Sequence, residues 1–250
     1  MGVPTLGCRC AVCTSSDARN RRTRPSIAVQ WGGGAARRTV VIDTGPDFRQ
    51  QALREDLRHV DAVLYTHGHS DHILGMDDLR PLSFQHRPGM LPLYADDATA
   101  AVLRRNFDYT FAADSTYPTR ARVELHRLEG EEVAEVDGAR FQRVPLLHGG
   151  LQVAGFRFGE AAYLTDMSSI PETSLPLLEG LDVLILDALR PQPHPSHANL
   201  SQALQWVERV LPRRAWFTHM SHEVDHETTE AAFPAHVRLA YDGLRIEFEL

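Results

Sequence analysis

The sequence of 250 residues contains no lysine, only three cysteines and no apolar run long enough for a membrane-spanning helix. The absence of lysine excludes a lysine nucleophile or Schiff base. Acidic residues outnumber basic ones, 33 to 26, and the net charge of -7 argues against charge-driven binding to nucleic acid or to a membrane surface. The N-terminal residues lack the order of charged and then apolar residues that marks a signal peptide, which favours a cytoplasmic location.

The composition is that of a globular protein, with 43% hydrophobic and 24% charged residues. Strand-like runs at residues 26–30 and 39–43 flank a glycine-rich stretch, which predicts a hairpin. The apolar run at residues 60–65 predicts a buried strand. We expect a helix to follow the next polar segment and to continue through residue 83.

The second half of the chain contains many strand-like runs with helices between them. An aspartate cap predicts a helix at residues 96–106, and residues 199–211 have an amphipathic helical pattern. Residues 237–241 and 244–248 flank an Asp-Gly pair, which predicts a closing hairpin. Because no shift in composition divides the chain, we expect a single α/β domain with mixed sheets over residues 1–250.

Four potential metal ligands, His67, His69, Asp71 and His72, follow the predicted buried strand within six residues. Two histidines spaced two apart can aim at one point from an extended or turning backbone, whereas Asp71 and His72 turn the other way as a helix begins. Imidazole and carboxylate groups suit a borderline divalent metal. The spacing therefore indicates a metal-binding loop, the alternative being a polar loop that is rich in histidine.

Further candidate ligands each follow a strand-like run: His148, Asp166 and His219. Loops at strand ends are where α/β proteins place their chemistry. Taken alone, each of these residues is typical of a surface or capping position. Their significance comes from their combination with the first cluster.

The segment Thr-His-Gly-His-Ser-Asp-His resembles the signature of the metallo-β-lactamase superfamily, and the later ligands follow in the family's order of His, Asp and His. The resemblance implies a metallo-β-lactamase αβ/βα four-layer sandwich with mixed sheets. It also implies a dinuclear centre of two divalent ions, zinc or manganese. The ligands that it implies are His67, His69 and His148 on one ion, Asp71, His72 and His219 on the other, and Asp166 as the bridge.

The three cysteines, Cys8, Cys10 and Cys13, lie within six residues, which is a poor framework for disulfides. Three thiolates at this spacing can occupy three corners of a tetrahedral zinc site. His222, three residues after His219, is the expected fourth ligand of this structural zinc. The alternative is that the cysteines are three buried small hydrophobic residues.

The cysteines, the preceding Gly-Val-Pro and the segment Thr-His-Met-Ser-His narrow the resemblance to one branch. That branch contains the phosphodiesterase of phosphonate breakdown, which opens 5-phosphoribosyl 1,2-cyclic phosphate. In it the first histidine of the last segment binds the active-site metals and the second completes a structural zinc, matching His219 and His222. The family has a strand before Gly-Val-Pro, so we expect that N-terminal edge strand to be missing and leave open whether Met1 is the true start.

The resemblance implies a metal-dependent hydrolase that acts on a small cyclic phosphodiester through a metal-activated water. Asp71 and His197 are the expected catalytic residues, and His197 resembles the family's acid, which protonates the leaving group. His194, between two prolines, is the alternative acid. Asp43 and Asp187 end strands and are expected to orient ligand histidines from outside the ligand set.

The substrate-binding residues stay open, and the candidates for contacting a substrate phosphate are Arg22, Arg24 and Arg80. The remaining histidines are predicted to lie on the surface: His59, His86, His126, His226 and His236.

Two other functions stay open, a role like that of the pyrroloquinoline quinone biosynthesis protein B and an RNA-processing nuclease. The full set of ligands favours the phosphodiesterase, and no basic insertion of the kind that clamps RNA is evident. The expected partner is a small-molecule phosphodiester, with neither membrane nor nucleic acid. A homodimer is left open.

Overall fold

The computed structural model describes residues 2–86 and 88–250, so the question of Met1 as the start lies outside the described residues. The chain divides into two units. We call residues 24–140 the central unit and residues 2–23 with 141–250 the terminal unit. The interpretation of the chain as a single domain stays a prediction.

The central unit is built on a mixed sheet with the strand order β1-β2-β3-β4-β5. Its strands are β1 (Ile27–Trp31), β2 (Arg38–Ile42), β3 (Ala62–Leu64), β4 (Leu91–Ala95) and β5 (Val123–Arg127), followed in sequence by β6 (Val133–Val136). β1 pairs antiparallel with β2, which confirms the predicted hairpin. The neighbours from β2 to β5 are parallel. All three residues of β3 are buried, as the apolar run predicted.

The helices of the central unit are α1 (Phe48–Arg54), α2 (Ser70–Ile73), α3 (Arg80–Ser83), α4 (Asp97–Asn106) and α5 (Asp108–Phe111), with 3₁₀ turns at Gly34–Ala36 and Met76–Leu79. Asp96 caps α4 by accepting the Thr99 N–H at 2.8 Å, as predicted.

The prediction of one helix through residue 83 is wrong, because the helix is interrupted: α2 ends at Ile73 and α3 begins at Arg80. The Gly75 N–H donates to the Thr44 carbonyl at 2.8 Å. A Cβ at Gly75 would lie 2.1 Å from the Gly45 oxygen, so only glycine allows this approach of two backbones. The close approach ends α2 after one turn and holds it against the segment after β2.

The terminal unit has a second mixed sheet, in which its strands follow the order β12-β11-β10-β9-β8-β7. They are β7 (Ala139–His148), β8 (Leu151–Phe158), β9 (Ala161–Leu164), β10 (Val183–Asp187), β11 (Arg214–Thr218) and β12 (Val237–Leu239). β7, β8 and β9 are antiparallel neighbours, whereas β9 to β12 are parallel. The two mixed sheets with their helices confirm the predicted α/β class.

The terminal unit also contains α6 (Leu200–Val210), α7 (His226–Glu230) and 3₁₀ segments at Ala18–Asn20 and Glu172–Leu178. Asn199 and Gln202 form a reciprocal capping box at the start of α6, where the amphipathic pattern predicted a helix.

The predicted closing hairpin is wrong. β12 pairs in parallel with β11, and residues 244–248 are not in a strand. The tail beyond β12 is held by other groups: the Glu249 carbonyl accepts the Glu160 N–H at 2.9 Å and the Glu247 carbonyl accepts Arg214 Nη2 at 2.7 Å. Because the carbonyls of Glu247 and Glu249 already have these partners, the chain after the Asp-Gly turn does not form the second strand of a hairpin.

None of the helices in the described part of the chain combines the length and the apolar character that crossing a bilayer requires.

Candidate functional site

The histidine loop, residues 66–72, follows β3 in the central unit and leads into α2. The ring centroid of His67 lies 4.5 Å from that of His69 and 4.3 Å from that of His72. The chain is still extended at His69, and Asp71 and His72 fall in the first turn of α2. The backbone change predicted from the spacing therefore gathers three imidazoles in one place.

Asp43, directly after β2, holds this loop through its carboxylate. Oδ1 accepts the Thr66 N–H at 2.8 Å, and Oδ2 accepts the Thr66 hydroxyl and His72 Nδ1, both at 2.7 Å. Burial raises the pKa of Asp43, and the His72 ring opposes that shift. Asp43 has a φ of 64°, a conformation that non-glycine residues adopt at a cost and that occurs at functional sites.

These contacts determine which imidazole nitrogen carries the proton. The single proton of the Thr66 hydroxyl is donated to Asp43, so the same hydroxyl must accept from His67 Nδ1, 3.0 Å away. His72 Nδ1 donates to the Asp43 carboxylate. Both rings therefore have their lone pair on Nε2, the arrangement found in metal-ligating histidines with a supporting hydrogen bond. The donor chemistry of the loop fits a divalent metal.

The terminal unit places three further predicted ligands at strand ends. His148 ends β7, Asp166 follows β9 and His219 follows β11. His148 Nδ1 donates to the Ser196 carbonyl at 2.7 Å, which puts its lone pair on Nε2. His219 Nε2 lies 3.2 Å from Asp166 Oδ1, and φ is positive at both residues, 58° and 50°.

Asp187, the last residue of β10, is fully buried beneath two histidines of the terminal unit. Its Oδ2 accepts His197 Nδ1 at 2.8 Å and the Met167 N–H at 2.9 Å, and its Oδ1 lies 3.7 Å from His219 Nδ1. Burial raises the pKa of Asp187 well above its usual value, and the nearby His219 opposes the shift. In the sequence, the only signal for this residue was its position at the end of a strand-like run.

His197 lies among the candidate ligands of the terminal unit. Its ring centroid is 4.6 Å from that of His148 and 4.8 Å from that of His219. One donor atom each from Asp166, His197 and His219 lie within 4.8 Å of one another. The His194 ring is 5.0 Å from His197, and its Nδ1 lies 3.3 Å from the Ser196 N–H that donates to it. A proton-transfer role for His197 is geometrically compatible with this position.

The cysteine cluster and His222 come together within the terminal unit, although 209 or more positions separate them in sequence. The ligand atoms of all four residues lie within 4.8 Å of one another, and the Cys8 and Cys10 sulfurs are 3.2 and 3.5 Å from His222 Nδ1. The pKa of Cys10 is lowered to about 6. The larger cause is the Cys13 N–H, which donates to the Cys10 sulfur, and the next is the contact with His222. Thiolate and imidazole ligands at these separations fit a tetrahedral zinc ion.

The arginine candidates differ in what they contact. Arg22 is only 6% exposed and donates to the Ser221 and Val224 carbonyls and to Asn20 Oδ1, contacts that join distant parts of the terminal unit. Arg24 pairs with Asp47 at 3.0 Å. Arg80 lies 3.6 Å from Asp77, just beyond the histidine loop.

The prediction that His226 lies on the surface is wrong. It is 1% exposed at the start of α7, its ring lies 5.9 Å from that of Tyr241, and its N–H donates to Asn20 Oδ1 at 2.9 Å. Burial lowers the pKa of His226. The Ser196 carbonyl that holds His148 was missed in the sequence, because a backbone acceptor leaves no residue-type signal.

The fold and these residues agree with the comparison to known families. The chain belongs to the β-lactamase superfamily, since the model of the Beta-lactamase superfamily domain matches residues 38–220. The protein accordingly has the metallo-β-lactamase fold and is a metal-dependent hydrolase that binds divalent metals.

Three known proteins are similar to the chain over most of its length. The chain shares 51% sequence identity with a protein whose crystal structure is described as a new diphosphatase from the PhnP family. The two structures match with a TM-score of 0.91 over 100% of this chain and 94% of that chain, which supports the predicted branch. An octanoyltransferase from Porphyromonas gingivalis is 34% identical over 97% of this chain, which spans about half of that protein's length (48%). Coenzyme PQQ synthesis protein B from Methylorubrum extorquens is 30% identical over 74% of this chain and 68% of its own.

Proposed function

We propose that the protein is a metal-dependent phosphodiesterase that hydrolyses a small cyclic phosphodiester, such as 5-phosphoribosyl 1,2-cyclic phosphate. The observation that carries this proposal is the hydrogen bonding of the histidines. His67, His72 and His148 each commit Nδ1 to an acceptor, which turns Nε2 into a ligand atom. The similarity to the PhnP-family diphosphatase supports chemistry at phosphorus.

Two zinc or manganese ions would be held by the residues that the resemblance implies: His67, His69 and His148 for one, Asp71, His72 and His219 for the other, and Asp166 for both. Such ions, when bound, would lower the pKa of a water and offset the charge of the phosphodiester. The chain's own contribution is to hold the imidazoles in one tautomer. Asp43 does so directly for His72 and through Thr66 for His67.

His197 is the proposed acid that protonates the departing alkoxide. Asp187 accepts from its Nδ1, which orients the ring and leaves Nε2–H of the protonated imidazole as the donor to the leaving oxygen. The His197 side chain is 11% exposed, so little water competes for that proton.

Elemental analysis of the purified protein should find about three metal ions per chain, two at the proposed catalytic ligands and one at the cysteine cluster. Protein prepared with zinc and with manganese should differ only in the two catalytic ions, since thiolates favour zinc. A content of one ion per chain in fully active protein would contradict the dinuclear assignment.

Cys10→Ser should remove about one zinc per chain and lower the thermal midpoint of unfolding. The cause is that thiolate–zinc bonding contributes folding free energy, and serine does not replace the thiolate. The two catalytic ions should remain. Ser16→Ala, a change at an exposed position in the same segment, is the control and should keep both the zinc and the stability. Unchanged zinc content in Cys10→Ser would show that the cluster is not a zinc site.

The substrate class is tested by assaying metal-analysed protein with cyclic ribose phosphates, bis-p-nitrophenyl phosphate and compounds that contain a diphosphate linkage. We expect hydrolysis of the cyclic esters. Hydrolysis of diphosphates alone would favour the second candidate function, which the 51% identical diphosphatase suggests. A fully metallated protein that hydrolyses none of them would favour a role like that of the PQQ synthesis relative.

A further inference from the structure

An open cleft with a volume of about 510 Å³ lies beside α5 in the central unit. No proposed metal ligand is among the described residues that line it. The lining residues used below are Asp108, Tyr109, Asp114, Ser115, Thr116 and Tyr117. We call this feature the tyrosine cleft.

The walls of the tyrosine cleft are held in place by hydrogen bonds within residues 108–120. The Ser115 hydroxyl donates to the Tyr109 carbonyl at 2.5 Å, and the Ser115 N–H donates to the Ala112 carbonyl at 3.1 Å. Arg120 Nη1 donates to the same Ala112 carbonyl at 3.0 Å and closes the segment. The cleft is therefore formed before any ligand binds, which lowers the entropic cost of binding.

The two tyrosines form an aromatic wall. Their ring centroids are 5.6 Å apart with an interplanar angle of 73°, an edge-to-face pair. Tyr117 is 47% exposed. Because its edge-to-face partner supports the ring while half of its surface faces solvent, Tyr117 can stack against a planar ligand.

The polar groups of the tyrosine cleft select the charge of that ligand. Asp108 and Asp114 supply carboxylate acceptors, and Thr116 supplies a hydroxyl. Carboxylates repel a phosphate and accept from N–H donors. The group that fits is a planar heteroaromatic ring with amino donors, as in a nucleobase.

Within the central unit, one contact joins α4 to the histidine loop and another joins Tyr109 of the tyrosine cleft to the segment that follows the loop. A Cβ at Gly68 would lie 3.1 Å from Val102 Cγ2, so α4 packs directly on the loop. Val102 lies in α4, and α5, which contains Tyr109, begins two positions after α4 ends. Tyr109 also faces Asp77, which follows the loop; burial and then this carboxylate raise the pKa of Tyr109 to about 12.

We propose that the tyrosine cleft binds the nucleobase of a nucleoside-bearing substrate, with the base stacked on Tyr117. That this nucleobase belongs to the hydrolysed ester rests on the proposed function. It makes the cleft a specificity subsite, whereas bond cleavage belongs to the histidine loop.

Binding of adenosine, which contains no ester to hydrolyse, tests the cleft apart from the reaction. Calorimetric titration of the full chain should show adenosine binding that weakens about 5- to 150-fold in Tyr117→Ala, the range expected for one stacked base. Tyr117→Phe should retain it. Tyr241→Ala, at another half-exposed tyrosine, is the matched control. Absence of adenosine binding to the wild type, or equal binding to Tyr117→Ala, would overturn the proposal.

The hydrolysis assay adds a second readout. Tyr117→Ala should raise KM for 2′,3′-cyclic AMP and leave kcat and the KM of a base-free cyclic ribose phosphate unchanged. Adenosine binding that depends on Tyr117, in a protein that hydrolyses no ester, would overturn the proposed function and support the base site. Equal KM changes for both substrates would overturn the specificity role.

Discussion

Replacement of Asp71 by alanine should abolish hydrolysis of every phosphodiester, because it removes a proposed carboxylate ligand and its negative charge. About one metal ion per chain should be lost as well, since only His72, His219 and the shared Asp166 would remain to hold the second ion. The fold should persist. The α2 backbone is held without this side chain: the Thr44 N–H donates to the His72 carbonyl at 2.8 Å, and Gly45 packs closely on the Asp71 carbonyl.

Activity, metal content and thermal unfolding of Asp71→Ala should be measured on the same preparation. Asp78→Ala is the matched control, since this exposed aspartate lies seven residues along the same segment. It should keep full activity and metal content. An Asp71→Ala protein with full activity would show that the dinuclear assignment is wrong.

His197→Ala should reduce the turnover of an alkyl or ribose diester by about 10²- to 10⁴-fold, the usual contribution of a general acid. The loss should be much smaller for a nitrophenyl ester, whose leaving group is stable as an anion and needs little protonation. Metal content should stay unchanged, because His197 is outside the proposed ligand set. The ratio of the two rate losses is the measurement that isolates proton donation.

His236→Ala, at an exposed histidine of the same unit, serves as the control for removal of an imidazole. Equal losses on both substrates would instead make His197 a positioning residue, and His194 would be the next acid to test. Loss of metal in His197→Ala would make it a ligand, which its position beside Asp166 and His219 allows.

Local patterns were sufficient wherever the structure depends on neighbours in sequence. The apolar run before the histidine loop became β3, the Asp96 cap begins α4 as predicted, and the amphipathic pattern at residues 199–211 became α6. The failures have distant causes. The helix after the loop stops because Gly75 meets the backbone of Gly45, and the closing hairpin is absent because β12 pairs with β11. Residue spacing contains no information about such contacts.

By itself, the sequence determined the chemical character of the site: imidazoles and carboxylates directly after strands, and three thiolates too close together for disulfides. Strand and loop periodicities are local properties of the backbone, so they can be read from order alone. Only the tertiary structure decided which nitrogen of each histidine is a donor, and that Asp187 holds His197. These depend on hydrogen bonds only a few ångströms long between groups that the tertiary structure brings together.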